Sequence, residues 1–346
     1  MDKLHFDSDY MAGAHPRIME RLIATNLEKT TGYGTDTYTA SAKKKILDAC
    51  GLSEGDVYLL VGGTQTNSTV IDALLHHHEG VLSADSGHIN VHEAGAIEAT
   101  CHKVLTLPAY EGKVKASDVK GYIDAFYADE SHEHMVAPGM LYISFPTELG
   151  TIYSLSELEE IKEVCNNAGI PLFIDGARLG YGLAASPDVT LKDIARIADI
   201  FYIGGTKVGA LFGEAVVTRH THLLKHFISL VKQHGALLAK GRLTGLQFDT
   251  LFTDSLYFEI GSHAVAMALK LKQAMLHAGY RTLVDSPTNQ QFFVLPNKVI
   301  EHLRQYATFE PWGPAGETES AVRFVTDWAT PPDQIDTLIS HIPASF

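Results

Sequence analysis

Between residues 57 and 218 one pattern recurs: a short apolar run, an amphipathic stretch of helical period, then another apolar run. The runs are Val57–Val61, Val81–Ser83, Val104–Leu107, Leu141–Phe145, Leu172–Ile174, Ile200–Ile203 and Ala215–Thr218. Their length and bounding turns read as buried strands. Between them lie helix signals. Gly62-Gly63 turns the first run into a helical stretch from about Thr64 to His78, and Ser154-Leu155-Ser156-Glu157 is a capping box opening a helix to Ala168. Gly169 and Pro171 close that helix and lead into the next strand. Strand, helix and strand at this interval dictate an α/β domain with a mostly parallel sheet covered by helices.

After about Ala239 the pattern changes. A long helical segment from Leu256 to His277, ended by Gly279, leads into a tail whose strands are Phe292–Leu295 and Ala321–Val325. A large domain over residues 16–250 is therefore expected, with a small one made of an N-terminal arm (1–15) and an α+β body (251–346). At 346 residues and 45% hydrophobic content the chain can bury cores for both. Its 27 basic against 41 acidic residues leave a net charge of −14, which argues against nucleic acid or an anionic membrane surface as a partner. No apolar run approaches the roughly 18 residues of a membrane span, and Met1 to His5 lacks the character of a signal peptide, so a cytoplasmic protein is expected. Cys50, Cys101 and Cys165 are odd in number and far apart, and read as buried small hydrophobes rather than disulfide partners or metal ligands; no metal site is expected.

Open parallel sheets bind ligands beyond the carboxyl ends of their strands. Three such positions carry unusual chemistry. Gly62-Gly63-Thr64-Gln65 stands at a strand-to-helix junction, where free N–H groups and the helix dipole suit a phosphate; the plain alternative is a tight turn capped by Thr64. Asp175 directly follows a buried run, which is costly unless a cation pairs with it, and either a protonated ring nitrogen or Arg178 fits that need. Lys207 follows another run between glycines, where partial burial frees an amine as a nucleophile; the alternative is a solvated loop lysine. Asp175 and Lys207 stand 32 residues apart, about one strand-helix-strand unit, so the two belong at the ends of neighbouring strands. An acid for a ring nitrogen, a lysine for an aldehyde and a helix terminus for a phosphate together describe pyridoxal 5'-phosphate.

At these residues the chain resembles the threonine aldolase and β-eliminating lyase family of fold-type-I pyridoxal-phosphate enzymes, from about Phe6 to Thr330. The matching segments are Ser8-Asp9 with Ala12 to Pro16, Tyr33 to Asp36, Gly63-Thr64, Ala84 to His88 running into His92 to Gly95, Asp175 to Arg178, Gly204 to Ala210, and Val322-Arg323. The resemblance implies that Lys207 forms the internal Schiff base, Asp175 pairs with the pyridine nitrogen, and His88 stacks on the ring and acts as a base. It implies a phosphate site at Gly63, Thr64 and Gln65, cofactor contacts from Thr206, and Arg178 on the cofactor oxygen or the substrate carboxylate. Arg323 clamps that carboxylate with a planar fork, and Ser8 and Tyr33 line the substrate pocket. It further implies a homodimer or homotetramer with the site at a subunit interface, where Lys232, Lys240 or Arg242 reaches a neighbour's phosphate. The chain departs from many members in carrying Tyr10 and Val208 where they have Asn, and in Ser144 to Glu148, which stands where one branch has Glu-Asn-Thr-His.

The implied reaction is retro-aldol cleavage of a β-hydroxy-α-amino acid to glycine and an aldehyde. β-Elimination or another reaction on the same cofactor, and an inactive binding protein on the same fold, are the competing readings. Two features are set aside as decoys. Gly180 to Ala185 fits the loose fingerprint G-x-G-x-x-A of a dinucleotide site, but it begins five residues after Asp175 and Pro187 follows. His76 to His78 read as consecutive residues of a helix C-terminus, unable to chelate one ion, and His132 and His134 as part of a solvated acidic loop.

Overall fold

Each apolar run is a strand in the structure, a computed structural model that describes residues 3–344. In chain order the strands are β1 (Leu4–His5), β2 (Asp56–Leu60), β3 (Glu79–Ala84), β4 (Lys103–Leu107), β5 (Ala137–Ser144), β6 (Leu172–Asp175) and β7 (Ile200–Gly204). There follow β8 (Glu214–Thr218), β9 (Arg281–Thr282), β10 (Gln290–Pro296), β11 (Ala307–Thr308), β12 (Glu310–Pro314) and β13 (Glu319–Val325). Seven of them form the central sheet in the order β2-β8-β7-β6-β5-β3-β4. Of these seven strands β8 alone is reversed, so the sheet is mostly parallel, as expected. Because β8 is reversed, its first residue, Glu214, lies at the edge where the parallel strands end.

The helices obey their local signals. Leu155–Ala168 opens with the Ser154/Glu157 capping box and stops at Gly169 in the left-handed conformation, and the long helix is Leu256–His277. The helix after β2 runs over Gly63–Leu74, shorter than the periodicity implied. Leu75 is extended, and the His76 N–H bonds to Glu79 Oε2 at 2.7 Å, so the histidines lie in a turn rather than on a helix end. His132 and His134 sit on one short 3-10 turn.

The glycines of the decoy fingerprint serve packing. They lie within the short helix Leu179–Ala185; a Cβ on Gly180 would come within 3.1 Å of the Tyr257 ring, and one on Gly182 within 2.8 Å of Pro146. The helix thereby approaches Leu256–His277 closely on one side and the loop after β5 on the other. Cys50 and Cys165 are buried, which pushes each thiol up to about 12. Cys101 is exposed, against expectation: it ends a 3-10 turn with φ of 68° just before β4, and that turn carries its side chain outside the core.

Beyond the long helix a second sheet runs β12-β13-β10-β9, antiparallel throughout. Its inner face, with Phe293, Leu295, Val322 and Phe324, packs on Leu271, Met275 and Leu338. The N-terminal arm joins this core. β1 pairs with β11, and Phe6 is fully buried there. That placement carries the next residues, Asp7 to Asp9, toward the edge of the large sheet.

Candidate active site

The ends of β5, β6 and β7, the start of β8 and the first turn of Gly63–Leu74 enclose a cavity of about 230 Å³. Asp175 and Lys207 both line it. β6 and β7 are parallel neighbours, so the residue closing one strand and the loop leaving the other face the same space.

Asp175 is buried, and among the described residues no lysine or arginine forms an ion pair with it. Its carboxylate instead accepts from the Tyr142 and Tyr202 hydroxyls, both at 2.5 Å, from Asn67 Nδ2 at 3.0 Å and from the Ala177 N–H at 2.9 Å. Burial opposes its charge, but the two tyrosine hydrogen bonds and their companions hold the carboxyl below its ordinary range. The expected alternative of an Asp175–Arg178 bridge is therefore not what forms. Arg178 turns to Asp9 of the arm, with Nε and NH2 bonded to its two oxygens at 2.7 and 3.0 Å. A two-point pair of this kind fixes the guanidinium plane at the cavity wall and anchors the arm.

Lys207 experiences the opposite balance. Burial and the Arg178 charge lower its pKa, partly offset by Asp9, Asp175 and Glu214, which favours a free amine. Opposite it, the helix Gly63–Leu74 begins at Gly62 with no side chain capping its first turn. Gly62, Gly63 and Thr64 line the cavity, so unpaired N–H groups and the positive end of the helix dipole face it. Thr206 lines it as well, with its hydroxyl donated to Glu214 Oε1 at 2.8 Å.

His88 stands on the remaining wall. Its Nδ1 is 2.8 Å from the fully buried carboxylate oxygen Oε1 of Glu93, which also accepts from Asn67 Nδ2 at 2.7 Å. A proton on Nδ1 satisfies that carboxylate and leaves the Nε2 lone pair available on the other side of the ring. Asn67 thus ties His88, through Glu93, to Asp175.

Residues 5–288 match the family model of the beta-eliminating lyases. The chain belongs to that family. Over 98% of both chains, this lyase superposes on the solved structure of a Leishmania major threonine aldolase with a TM-score of 0.94 at 40% identity. A low-specificity L-threonine aldolase of Pseudomonas aeruginosa is 26% identical over 347 residues, covering 97% of this chain and 96% of that one. A Thermus thermophilus aspartate aminotransferase, at 14% identity and a TM-score of 0.71, covers 98% of this chain and 91% of its own; that likeness is one of fold alone, the fold-type-I architecture.

Not every expected residue meets in this one cavity of the lyase. Gly63, Thr64, His88, Asp175, Arg178, Thr206 and Lys207 do. The Gln65 side chain turns away, donating Nε2 to the His234 carbonyl at 3.0 Å, so only its backbone N–H faces the helix end. Arg323, on β13, is paired with Glu310 directly across on β12, bonds Gln290 Oε1 at 3.0 Å and lies over the Trp312 ring. Ser8 precedes the buried Asp9 but is not part of the cavity wall. Tyr33 is exposed beside Lys232, whose Nζ is 4.9 Å from its ring centre, and lines a different cavity from Lys207. Arg242 is spent within its own chain on the Thr25 and Glu28 carbonyls.

Four members of the site carry no motif of their own, Asn67, Tyr142, Tyr202 and Glu214, whereas Glu93 lies inside the segment His92 to Gly95 and Glu148 closes Ser144 to Glu148. Two left a trace, since a tyrosine in an otherwise apolar buried strand must find a partner for its hydroxyl, and Tyr142 and Tyr202 flank the strand that ends in Asp175.

Proposed function

We propose that this beta-eliminating lyase cleaves a β-hydroxy-α-amino acid of the threonine type to glycine and an aldehyde, using pyridoxal 5'-phosphate. One observation carries the reading: a buried amine and an ionised, hydrogen-bonded carboxylate stand on adjoining strand ends in one cavity closed by an uncapped helix terminus. The residues fit the cofactor. Lys207 Nζ would take its aldehyde carbon, the Asp175 carboxylate its ring nitrogen, and the N–H groups of Gly63, Thr64 and Gln65, with Thr206 beside them, its phosphate. When bound, the ring supplies an electron sink for the bond broken at Cα.

The chain's own residues do the remainder. Asp175 keeps a proton on the ring nitrogen because its four donors hold it ionised. His88, fixed by Glu93, supports the ring face, and its Nε2 serves proton transfer beside it. Arg178, set by Asp9, would receive the substrate carboxylate, and Arg323, once released from Glu310, would join it with Ser8 from outside the cavity wall, fixing the substrate's orientation. Tyr33 does not line the cavity that holds its own chain's Lys207, and exposed Ile23 and Leu27 stand close to it in sequence. This supports a homodimer or homotetramer in which Tyr33, with Lys232 or Lys240, completes a neighbour's site. The division into 16–250 and 1–15 plus 251–346 belongs to the same proposal, and the separate small core containing Phe6 supports it.

The test is incubation with L-threonine, L-allo-threonine and phenylserine, reading aldehyde and glycine together. Lys207→Ala is expected to abolish both products and the cofactor's visible absorbance band, and borohydride treatment of the unmodified protein to tag the peptide around Lys207. Cofactor retention without aldehyde from any of the three substrates would overturn the aldolase assignment.

A further inference from the structure

One carboxyl in the cavity has no part in that scheme. Glu148 follows β5 by four residues and lines the same space as Lys207, His88 and Asp175. Ser144 Oγ donates to its Oε1 at 2.6 Å, and the His88 backbone N–H donates to the same oxygen at 2.9 Å. Both bonds hold Oε1, so the carboxyl keeps one orientation while Oε2 receives neither. Among the described residues no lysine or arginine forms an ion pair with it, and burial, with a smaller contribution from the Asp175 charge, pushes its pKa above the usual carboxylate range. A carboxyl kept at a cavity wall without a cation is costly as a purely structural acceptor, because an amide would satisfy the same two donors without the charge. It suits proton transfer, for which a base works best with a pKa near the working pH.

We propose that Glu148 takes the β-hydroxyl proton of the substrate as the Cα–Cβ bond breaks. The inference rests on the aldolase reading above. The substrate O–H bond breaks and an O–H bond forms on Glu148 Oε2. The oxygen's electron pair becomes the second bond of the departing aldehyde's carbonyl, while the Cα–Cβ pair stays on the Cα side. Cα then gains one proton to give glycine, and Glu148 releases the one it took, so protons balance over a turnover. Ser144 is a positioning residue in this scheme, and His88 acts through its backbone N–H as well as its ring.

The experiment compares two reactions of the holoenzyme: aldehyde release from L-threonine, which requires loss of the β-hydroxyl proton, and exchange of the glycine α-proton in deuterium oxide followed by NMR, which does not. Glu148→Gln preserves an acceptor for Ser144 and His88. It is expected to lower kcat for cleavage on the order of 10²–10³-fold while glycine exchange and the cofactor band persist. Glu148→Asp, which keeps the acid but withdraws it by one methylene, is expected to retain more cleavage than Glu148→Gln. Unimpaired cleavage in Glu148→Gln, or loss of cleavage and exchange together, overturns the proposal. An unmodified enzyme that exchanges glycine but cleaves no β-hydroxy amino acid overturns the aldolase reading itself.

Discussion

Asp175 and Glu214 are carboxyls at the same edge of the same sheet, one closing β6 and the other opening the reversed β8, yet they hold protons in opposite ways. Both are buried. Asp175 collects two tyrosine hydroxyls, an amide and a backbone N–H, and stays ionised. Glu214 has the Thr206 hydroxyl at 2.8 Å and a longer N–H bond from Gly205 at 3.2 Å. Burial therefore dominates, and its carboxyl is pushed up to about 8. The contrast shows that the number and quality of donors, rather than depth, decide which acid of this cavity carries charge. It also assigns tasks: a fixed negative charge suits a protonated ring nitrogen, whereas burial pushes the Glu214 carboxyl up against the lowering effect of the Lys207 charge.

The contrast can be broken in graded steps. The largest effect is expected from Asp175→Asn, which leaves the donors but removes the charge; kcat/KM for threonine cleavage should fall on the order of 10²–10³-fold, and steady-state assays with saturating cofactor check it. A smaller loss would mean that the ring nitrogen does not depend on this acid. Tyr202→Phe removes one donor to the charged group and should cost about 1.5–3 kcal/mol of stability at neutral pH, measured by denaturant unfolding. Because the folded pKa of Asp175 lies below 3.8, its contribution is present above that value and is lost as pH falls through the folded pKa, so the variant should lose less on acidification than the parent. Glu214→Gln has the opposite sign. The folded pKa of about 8 lies above the ordinary 4.5, so this group's contribution is full below 4.5 and is lost as pH rises through about 8. The variant should show a shallower fall of the unfolding midpoint between about pH 4.5 and 8. Parallel curves would remove the distinction between the two acids.

The strands, the capping box at Ser154 and the helix Leu256–His277 were legible because each rests on local periodicity or an adjacent pair of residues. Asp175 and Lys207 were legible for a related reason: a charged residue at the end of an apolar run is conspicuous in one dimension. The extent of the helix after β2 was less so, since nothing in its hydrophobic pattern marks Leu75 as extended, and neither does anything near Cys101 announce a turn that turns it outward. The choice of partner for Arg178 was hidden altogether. Asp175 is three residues away and Asp9 is 169, yet the arm brings Asp9 into contact while tyrosines on both neighbouring strands occupy Asp175.

What the amino-acid order determined alone is the alternation of strand and helix, the parallel sheet that follows from it, and the two charged residues placed at its strand ends. Which donors surround each acid, which acid keeps a proton and which arginine is already paired were decided only by the tertiary structure. Those properties depend on distances of about 3 Å between segments far apart in the chain, and on the water that their packing excludes.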